Sequence, residues 1–322
     1  MGQSLVFKAS APSNIALIKY MGKTVAEENK PSNASLSWTL EHMRTFVELE
    51  VSANDDWSPL KGSGLESISL SQKGVTKFLN HLNRLKVHWG LKQSFLVKSA
   101  NNFPSDCGLA SSASSFAALT LAVYEAAKEL GGVKETPESL SKLSRQGSGS
   151  SCRSFFSPWA IWELEGAHPI ELPQNQLLHA TLVLENGIKS VSSSEAHVRV
   201  ASSLCFTDRS ERAVLRLEQL LKAFKKSSWR DAFEVCWNEF WDMHTLFETA
   251  RPPFFYMTGD SVLLLRWLQR EWEQHGDGPI VTMDAGPNIH LLFRPDQQTL
   301  AEKLIAGLPL PIRTIQSWGA HV

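Results

Sequence analysis

The stretch Phe103-Pro104-Ser105-Asp106-Cys107-Gly108-Leu109-Ala110-Ser111-Ser112-Ala113-Ser114-Ser115-Phe116 runs a short loop through a stack of serines into an alanine-rich segment. Over 112–130 the spacing puts Phe116, Leu119, Val123 and Ala127 on one helical face, and Gly131-Gly132 closes the helix. The first turn of such a helix carries free amides and the positive end of the helix dipole, which makes a seat for an anion. The hydroxyls of Ser111 and Ser112 add donors, or reach a cation held by phosphate. Plain N-capping of an ordinary helix is the competing reading of the same serines. The pattern GxxxxGK[ST] does not occur, so this is not a Walker loop.

Outward from that joint, strand-like and helix-like segments alternate. Residues 5–9, 45–51, 94–98, 179–185, 279–282 and 289–293 read as short strands. Further helices are expected over 210–225, 229–247 and 261–275, with Trp237, Phe240 and Trp241 packed into the core. This order suggests an α+β chain of two lobes with a cleft between them. The Asn186-Gly187 turn marks the expected boundary, giving units 1–187 and 188–322, and Pro173-Gln174-Asn175-Gln176 is the alternative.

Composition narrows the class. In 322 residues, 43% hydrophobic content supplies enough apolar surface for sizeable cores. Lys+Arg 32 against Asp+Glu 33 leaves a formal charge of −1, with no basic excess to track a nucleic-acid backbone. Cys107, Cys152, Cys205 and Cys236 form no CxxC pair, and the ten histidines show no HExxH, so no dedicated protein metal site is expected. The first residues lack a signal peptide's basic start and apolar core, and no apolar run reaches membrane-spanning length. A cytoplasmic protein with reduced thiols, binding neither membrane nor nucleic acid, is the expectation.

Three other blocks carry chemical side chains. Gly147-Ser148-Gly149-Ser150-Ser151-Cys152-Arg153-Ser154 offers close amides, hydroxyls and one guanidinium, a set suited to a carboxylate or phosphate. It starts like a dinucleotide fingerprint, but Cys152 stands at the third glycine position and no strand precedes it. Ala11-Pro12-Ser13-Asn14-Ile15-Ala16-Leu17-Ile18-Lys19-Tyr20-Met21-Gly22-Lys23 ends a strand-like run on two lysines and a tyrosine, where a lysine can hold an anion or lower a neighbour's pKa. Thr282-Met283-Asp284-Ala285-Gly286-Pro287-Asn288 puts a carboxylate on a proline-stiffened turn between two strands, with Asn288 expected to bond local backbone. Each block read alone also suits a structural loop or a solvated charge.

Together, and in this order, the blocks resemble mevalonate diphosphate decarboxylases. Asn14 to Lys23 with Asn33-Ala34-Ser35-Leu36-Ser37, Asn101-Asn102-Phe103-Pro104 leading to the serine stack, Gly147 to Ser154, and Asp284 to Asn288 carry the resemblance over nearly the whole chain. It implies the fold of the GHMP-type small-molecule kinase superfamily: a ribosomal-protein-S5-type amino-terminal domain, a ferredoxin-like carboxy-terminal domain, and ATP in the cleft between them. It also implies a homodimer. The implied reaction converts ATP and mevalonate 5-diphosphate, with Mg²⁺, into isopentenyl diphosphate, CO₂, ADP and phosphate. By resemblance Asp284 lies at the substrate's C3 hydroxyl, Lys19 against Asp284, and Arg153 with Asn14 at the C1 carboxylate. Tyr20, Lys23, Ser148 and Ser150 fall at the diphosphate, and Gly108, Leu109, Ala110, Ser111 and Ser112 at the ATP phosphates.

Departures accompany the match. Met21 stands where the family usually has Trp, and Asp106-Cys107 replaces a pair of alanines. At Ser194-Glu195-Ala196-His197 some bacterial members carry Arg first and Gly-Met last, which implies a weaker grip here on the distal phosphate. The alternative is therefore a relative acting on mevalonate or its monophosphate, or a kinase that stops after phosphorylation.

Overall fold

The computed structural model describes residues 5–25, 29–66, 68–104, 111–184 and 191–319. The first part of the chain forms β1 (Val6–Ile18), β2 (Lys23–Val25), β3 (Lys30–Pro31), β4 (Ser35–Ser52), β5 (Asp56–Pro59), α1 (Gln72–Trp89), β6 (Ser94–Asn101), α2 (Ser111–Gly131), α3 (Pro137–Arg145), β7 (Trp159–Glu163) and β8 (Gly166–Pro169). The second part forms β9 (Leu178–Val183), α4 (Ser193–Arg199), α5 (Arg209–Lys225), α6 (Trp229–Glu248), α7 (Gly259–His275), β10 (Ile280–Met283), β11 (Ile289–Phe293), α8 (Gln298–Ala306) and β12 (Arg313–Gln316). Among the described residues no helix is long and apolar enough to cross a membrane.

The long strand β4 organises the first sheet. β1 runs antiparallel along its length, while β7 pairs its start and β6 its end. Alternation along Met43, Thr45, Val47 and Leu49 turns one face of β4 inward. Against that sheet lies α2, buried from Ala113 to Ala127 on more than the single face its larger residues mark. Alanines make this possible, because a helix of small side chains can press its backbone close to a sheet. Gly132 ends it in a left-handed conformation, φ +66°.

The second sheet has the order β10-β11-β9-β12, antiparallel throughout. With helices after β9 and after β11 this is the ferredoxin-like arrangement. Pairing thus puts β9 in the second sheet, whereas a division at 187 counts it with the first. Counted by sheets, the break falls between Pro169 and Leu178, an interval that includes 173–176; Asn186-Gly187 lies outside the described residues. One apolar core joins both parts, with Ile15 and Leu17 of β1, Phe240 of α6, Leu182 of β9 and Met283 of β10 in a single cluster. Phe240 is buried as expected, while Trp237 and Trp241 pack at the margin of that core. The helices α1, α3, α4 and α8 were not legible as helices; α3 and α4 have only 9 and 7 residues.

The glycines at 147 and 149 serve side-chain packing more than amide approach. A Cβ on Gly147 would lie 2.2 Å from Phe116 Cδ1, and one on Gly149 2.7 Å from Tyr20 Cε1. Gly147→Ala is therefore expected to overpack this contact, at about 1–3 kcal/mol, and lower the melting temperature by several degrees. Gly259→Ala, which meets nothing within 4 Å at the start of α7, should leave it unchanged or slightly raised. Differential scanning calorimetry of the two variants checks the contrast.

Candidate active site

β1 delivers Lys19 to the base of the cleft, and the second part of the chain holds it there twice. The Lys19 backbone N–H donates to Glu239 Oε1 at 2.9 Å, and its Nζ donates to Asp284 Oδ1 at 2.7 Å. The Lys19 side chain is 2% exposed and that of Asp284 26%, so the carboxylate faces the cleft and the ammonium lies behind it. Glu239 is fully buried and gripped by Arg209, also fully buried, with Arg216 at 3.1 Å. Asp242 shares Arg209 and Arg216 and pairs with Arg212, so a charged cluster under α5 and α6 fixes the acceptor that fixes Lys19.

Asp284 sits on the turn between β10 and β11. Its carbonyl accepts from Gly286 N–H at 2.8 Å and pairs with His244 Nε2 at 3.1 Å. Because a carbonyl only accepts, His244 must carry its proton on Nε2. Ser261 Oγ donates to the Pro287 carbonyl at 2.9 Å. Asn288 reaches farther than local backbone, its Oδ1 accepting from Leu184 N–H at 2.7 Å and tying the turn to the end of β9.

Arg153 enters from the helical turn at residues 149–155. Its Nη1 donates to Ser35 Oγ at 2.8 Å and its Nε to Asn14 Oδ1 at 3.3 Å, with the guanidinium 5.7 Å from the Trp162 ring. Asn14 in turn donates to Ser154 Oγ at 2.8 Å. These contacts use Nε and Nη1, while Nη2 bonds nothing among the described residues.

A cleft of about 420 Å³ brings Lys19, Tyr20, Lys23, Ser111, Ser112, Ser148, Ser150, Arg153 and Asp284 together. Asn14 lies behind Arg153, outside the lining, and Gly108, Leu109 and Ala110 lie outside the described residues. Lys23 Nζ donates to Asn29 Oδ1 at 2.7 Å, and the Tyr20 ring packs at a tilt against those of Trp162 and His197, ring centroids 4.5 and 4.3 Å away. The lining also includes Lys73 and Lys77 of α1, which reading the sequence did not single out. Among the described residues the cleft thus shows five cations (Lys19, Lys23, Lys73, Lys77, Arg153) against the single carboxylate of Asp284. That balance suits polyanionic ligands.

The charges perturb one another in a consistent way. Burial alone would push the Asp284 carboxyl up, but Lys19, then His290 and Arg153, outweigh it and hold it below the ordinary carboxylate range. Burial draws Lys19 below the ordinary lysine value against the pull of Asp284. Lys77 is pushed down to about 8, first by desolvation and then by Lys23 and Lys73. The result is an ionised carboxylate with a free edge toward the cleft, backed by a cation and flanked by a guanidinium.

Glu239, Arg209, His244, Lys73 and Lys77 went unread in the sequence, and His197 entered only as a departure from the family pattern. Glu239 left a usable signal: it shares the buried face of α6 with Cys236, Phe240, Met243 and Phe247, and a carboxylate on an apolar stripe needs a partner.

A cationic cleft between an S5-type and a ferredoxin-like unit, with a lysine–aspartate pair at its base, defines a small-molecule phosphotransfer enzyme of the GHMP kinase superfamily. Residues 11–169 match the family model of the diphosphomevalonate decarboxylase-like N-terminal domain, and residues 180–315 that of the mevalonate 5-diphosphate decarboxylase C-terminal domain. The chain belongs to the diphosphomevalonate decarboxylase family. It is 32% identical to the diphosphomevalonate decarboxylase of Gibberella zeae over 91% of this chain and 82% of that one. A mevalonate diphosphate decarboxylase structure from Legionella pneumophila is 44% identical, with a TM-score of 0.91 over 97% of this chain and 100% of the other. A further structure, 29% identical with a TM-score of 0.85 over 96% of each chain, is of MDDEF in complex with MVAPP, AMPPCP and magnesium.

The lowered Asp284 value has a consequence for stability. Its contribution is present above the unfolded carboxyl value, about 3.9, and is lost as pH falls through the lower folded value. Asp284→Asn should lower the melting temperature at pH 7, by stranding the Lys19 ammonium, and the gap to wild type should narrow below about pH 4. Melting curves from pH 3 to pH 8 test this; a gap that stays constant with pH contradicts it.

Proposed function

We propose that this chain carries out the ATP-dependent decarboxylation of mevalonate 5-diphosphate to isopentenyl diphosphate, a step of the mevalonate route to isoprenoids. The observation that carries the reading is the 2.7 Å Lys19–Asp284 pair beside Arg153 in a cationic cleft, in a chain of this family.

The chemistry explains why these groups belong together. The C3 alcohol of the substrate is tertiary and leaves poorly, so its oxygen first takes the γ-phosphoryl group of ATP. Asp284, kept ionised by Lys19, orients the hydroxyl or accepts its proton as the phosphoryl group transfers. The C3–O bond then breaks with its electron pair on the departing phosphate. The electrons of the C1–C2 bond become the C2–C3 double bond, and CO₂ departs. The Nη2 group of Arg153 holds the C1 carboxylate in place until its charge is gone. Tyr20, Lys23, Ser148 and Ser150 take the diphosphate.

The start of α2 takes the ATP phosphates through Ser111 and Ser112, together with Gly108, Leu109 and Ala110, which precede them in the sequence. Among the described residues no three His, Cys, Asp or Glu side chains gather as a metal cage, while hydroxyl oxygens stand at the α2 start. That donor set fits Mg²⁺ carried largely by phosphate oxygens, where it neutralises charge on the transferring group. The same reading places the enzyme in the cytoplasm as a homodimer, on the strength of its family resemblance; light scattering after gel filtration checks the dimer.

ATP-dependent CO₂ release from mevalonate bearing zero, one or two phosphates tests the reaction and the preferred substrate together. Phosphorylation without CO₂ release would make the chain a kinase. In the same assay Asp284→Asn should lower kcat about a hundredfold or more with little change in KM. Arg153→Met should damage KM as well as kcat, because the carboxylate is held in ground and transition states alike. Circular dichroism first establishes that both variants are folded.

A further inference from the structure

His197 crosses the cleft from the second part of the chain to the first. It projects from α4, which is seated by Ala196 and Val200 in one apolar cluster with Met21 and Met243. Its Nδ1 accepts the backbone N–H of Gly22 at 3.0 Å. Gly22 has φ +98°, and a Cβ there would lie 2.8 Å from Phe206 Cζ, so the chain needs glycine to reach the ring. The ring also lies 4.3 Å from that of Tyr20. These contacts fix three things: the position of the imidazole, its plane and its tautomer. An Nδ1 that accepts carries no proton, so in the neutral ring the proton is on Nε2. Nε2 bonds nothing among the described residues, and His197 lines the cleft with Lys23, Lys77, Ser148 and Ser150.

Desolvation, then Lys23 and Lys77, push the imidazole down to about 3, so the ring stays neutral across the physiological range. Another cation at this point would add to the repulsion that already lowers Lys77. A neutral, oriented N–H gives a phosphate oxygen a directional donor without that cost.

We propose that His197 Nε2–H is a specificity-determining donor to the terminal phosphate of the substrate, selecting a diphosphate over a monophosphate. This rests on the reading of the cleft as a site for phosphorylated mevalonate. His197 acts on binding and not on the reacting atoms, and Gly22 is the group that aims it.

Two substitutions separate the donor from the wall. In His197→Asn the amide oxygen can still accept from Gly22 N–H, but nothing reaches the Nε2 position. In His197→Gln the longer side chain puts an N–H close to where Nε2 stood. Calorimetric titration with mevalonate 5-diphosphate and with mevalonate 5-phosphate reads the two affinities without requiring turnover. The expected result is at least a tenfold loss of diphosphate affinity in His197→Asn, the scale of one hydrogen bond to a charged group, with monophosphate affinity changed less than about twofold. His197→Gln should recover most of the loss. Equal weakening of both ligands, an unaffected Asn variant, or a Gln variant as poor as Asn overturns the proposal. So does wild-type protein that does not discriminate between the ligands. Long-range ¹H–¹⁵N spectra give an independent readout should either variant misfold. The wild-type His197 signals should report a neutral Nε2–H ring from pH 5 to pH 8, and diphosphate should shift Nε2 while monophosphate leaves it in place. Titration of His197 near pH 6.5, or an Nε2 signal indifferent to diphosphate, also overturns it. Discrimination in binding without CO₂ release would fail the proposed reaction and leave this inference standing.

Discussion

The site depends on how Lys19 is held. Its backbone N–H ends on Glu239 and its ammonium on Asp284, so both anchors of this residue, the first after β1, come from the second part of the chain. A buried ammonium is costly unless it is paired and hydrogen-bonded. The pairing with Asp284 meets that cost and at the same time keeps the carboxylate ionised. Glu239 carries its own burial cost, offset by Arg209 and Arg216, which are shared with Asp242. The order of dependence runs from the charged cluster to Glu239, from Glu239 to the Lys19 backbone, and from there to the Asp284 carboxylate. Removing one member of such a network strands another charge, so the cluster has little tolerance for single changes.

The rest of the cleft follows from the same economy of acids. Asp284 is the one carboxylate lining it among the described residues, and Lys19 occupies the face turned away from the opening. Arg153 is treated in the opposite way. It is held by the neutral oxygens of Ser35 and Asn14, and so keeps its full charge for a ligand. One cation is neutralised to stabilise an acid, and the others are left unneutralised to receive phosphate and carboxylate. The distinction lies in the partners and not in the lysines and arginine themselves.

This explains what the sequence made legible. Local signals were sufficient where local physics decides. The serine-to-alanine joint gave α2, the Asp284 turn stood out between two strands, and the longer helices showed their periodicity. α3 and α4 are too short to show a period, and the sheet to which the strand at 178–183 belongs was not legible because a pairing partner more than a hundred residues away decides its place. The glycines at 147 and 149 looked like ligand-approach residues, and their need became visible only with Phe116 and Tyr20 beside them. Lys19 and Asp284 were named from their blocks, yet Glu239 and Arg209, which set the geometry, lie in helices that read as ordinary packing.

The apolar core shared by β1, α6, β9 and β10 borders the cleft, with Ile15 and Leu17 on either side of the lining residue Ala16. A floor made of one continuous core cannot part along the line between the sheets without exposing Ile15, Leu17, Phe240 and Met283 to water. Two large anions and their products must nonetheless enter and leave. Any motion that admits them has to keep those side chains covered, so the cost of opening rises with the apolar area that would part.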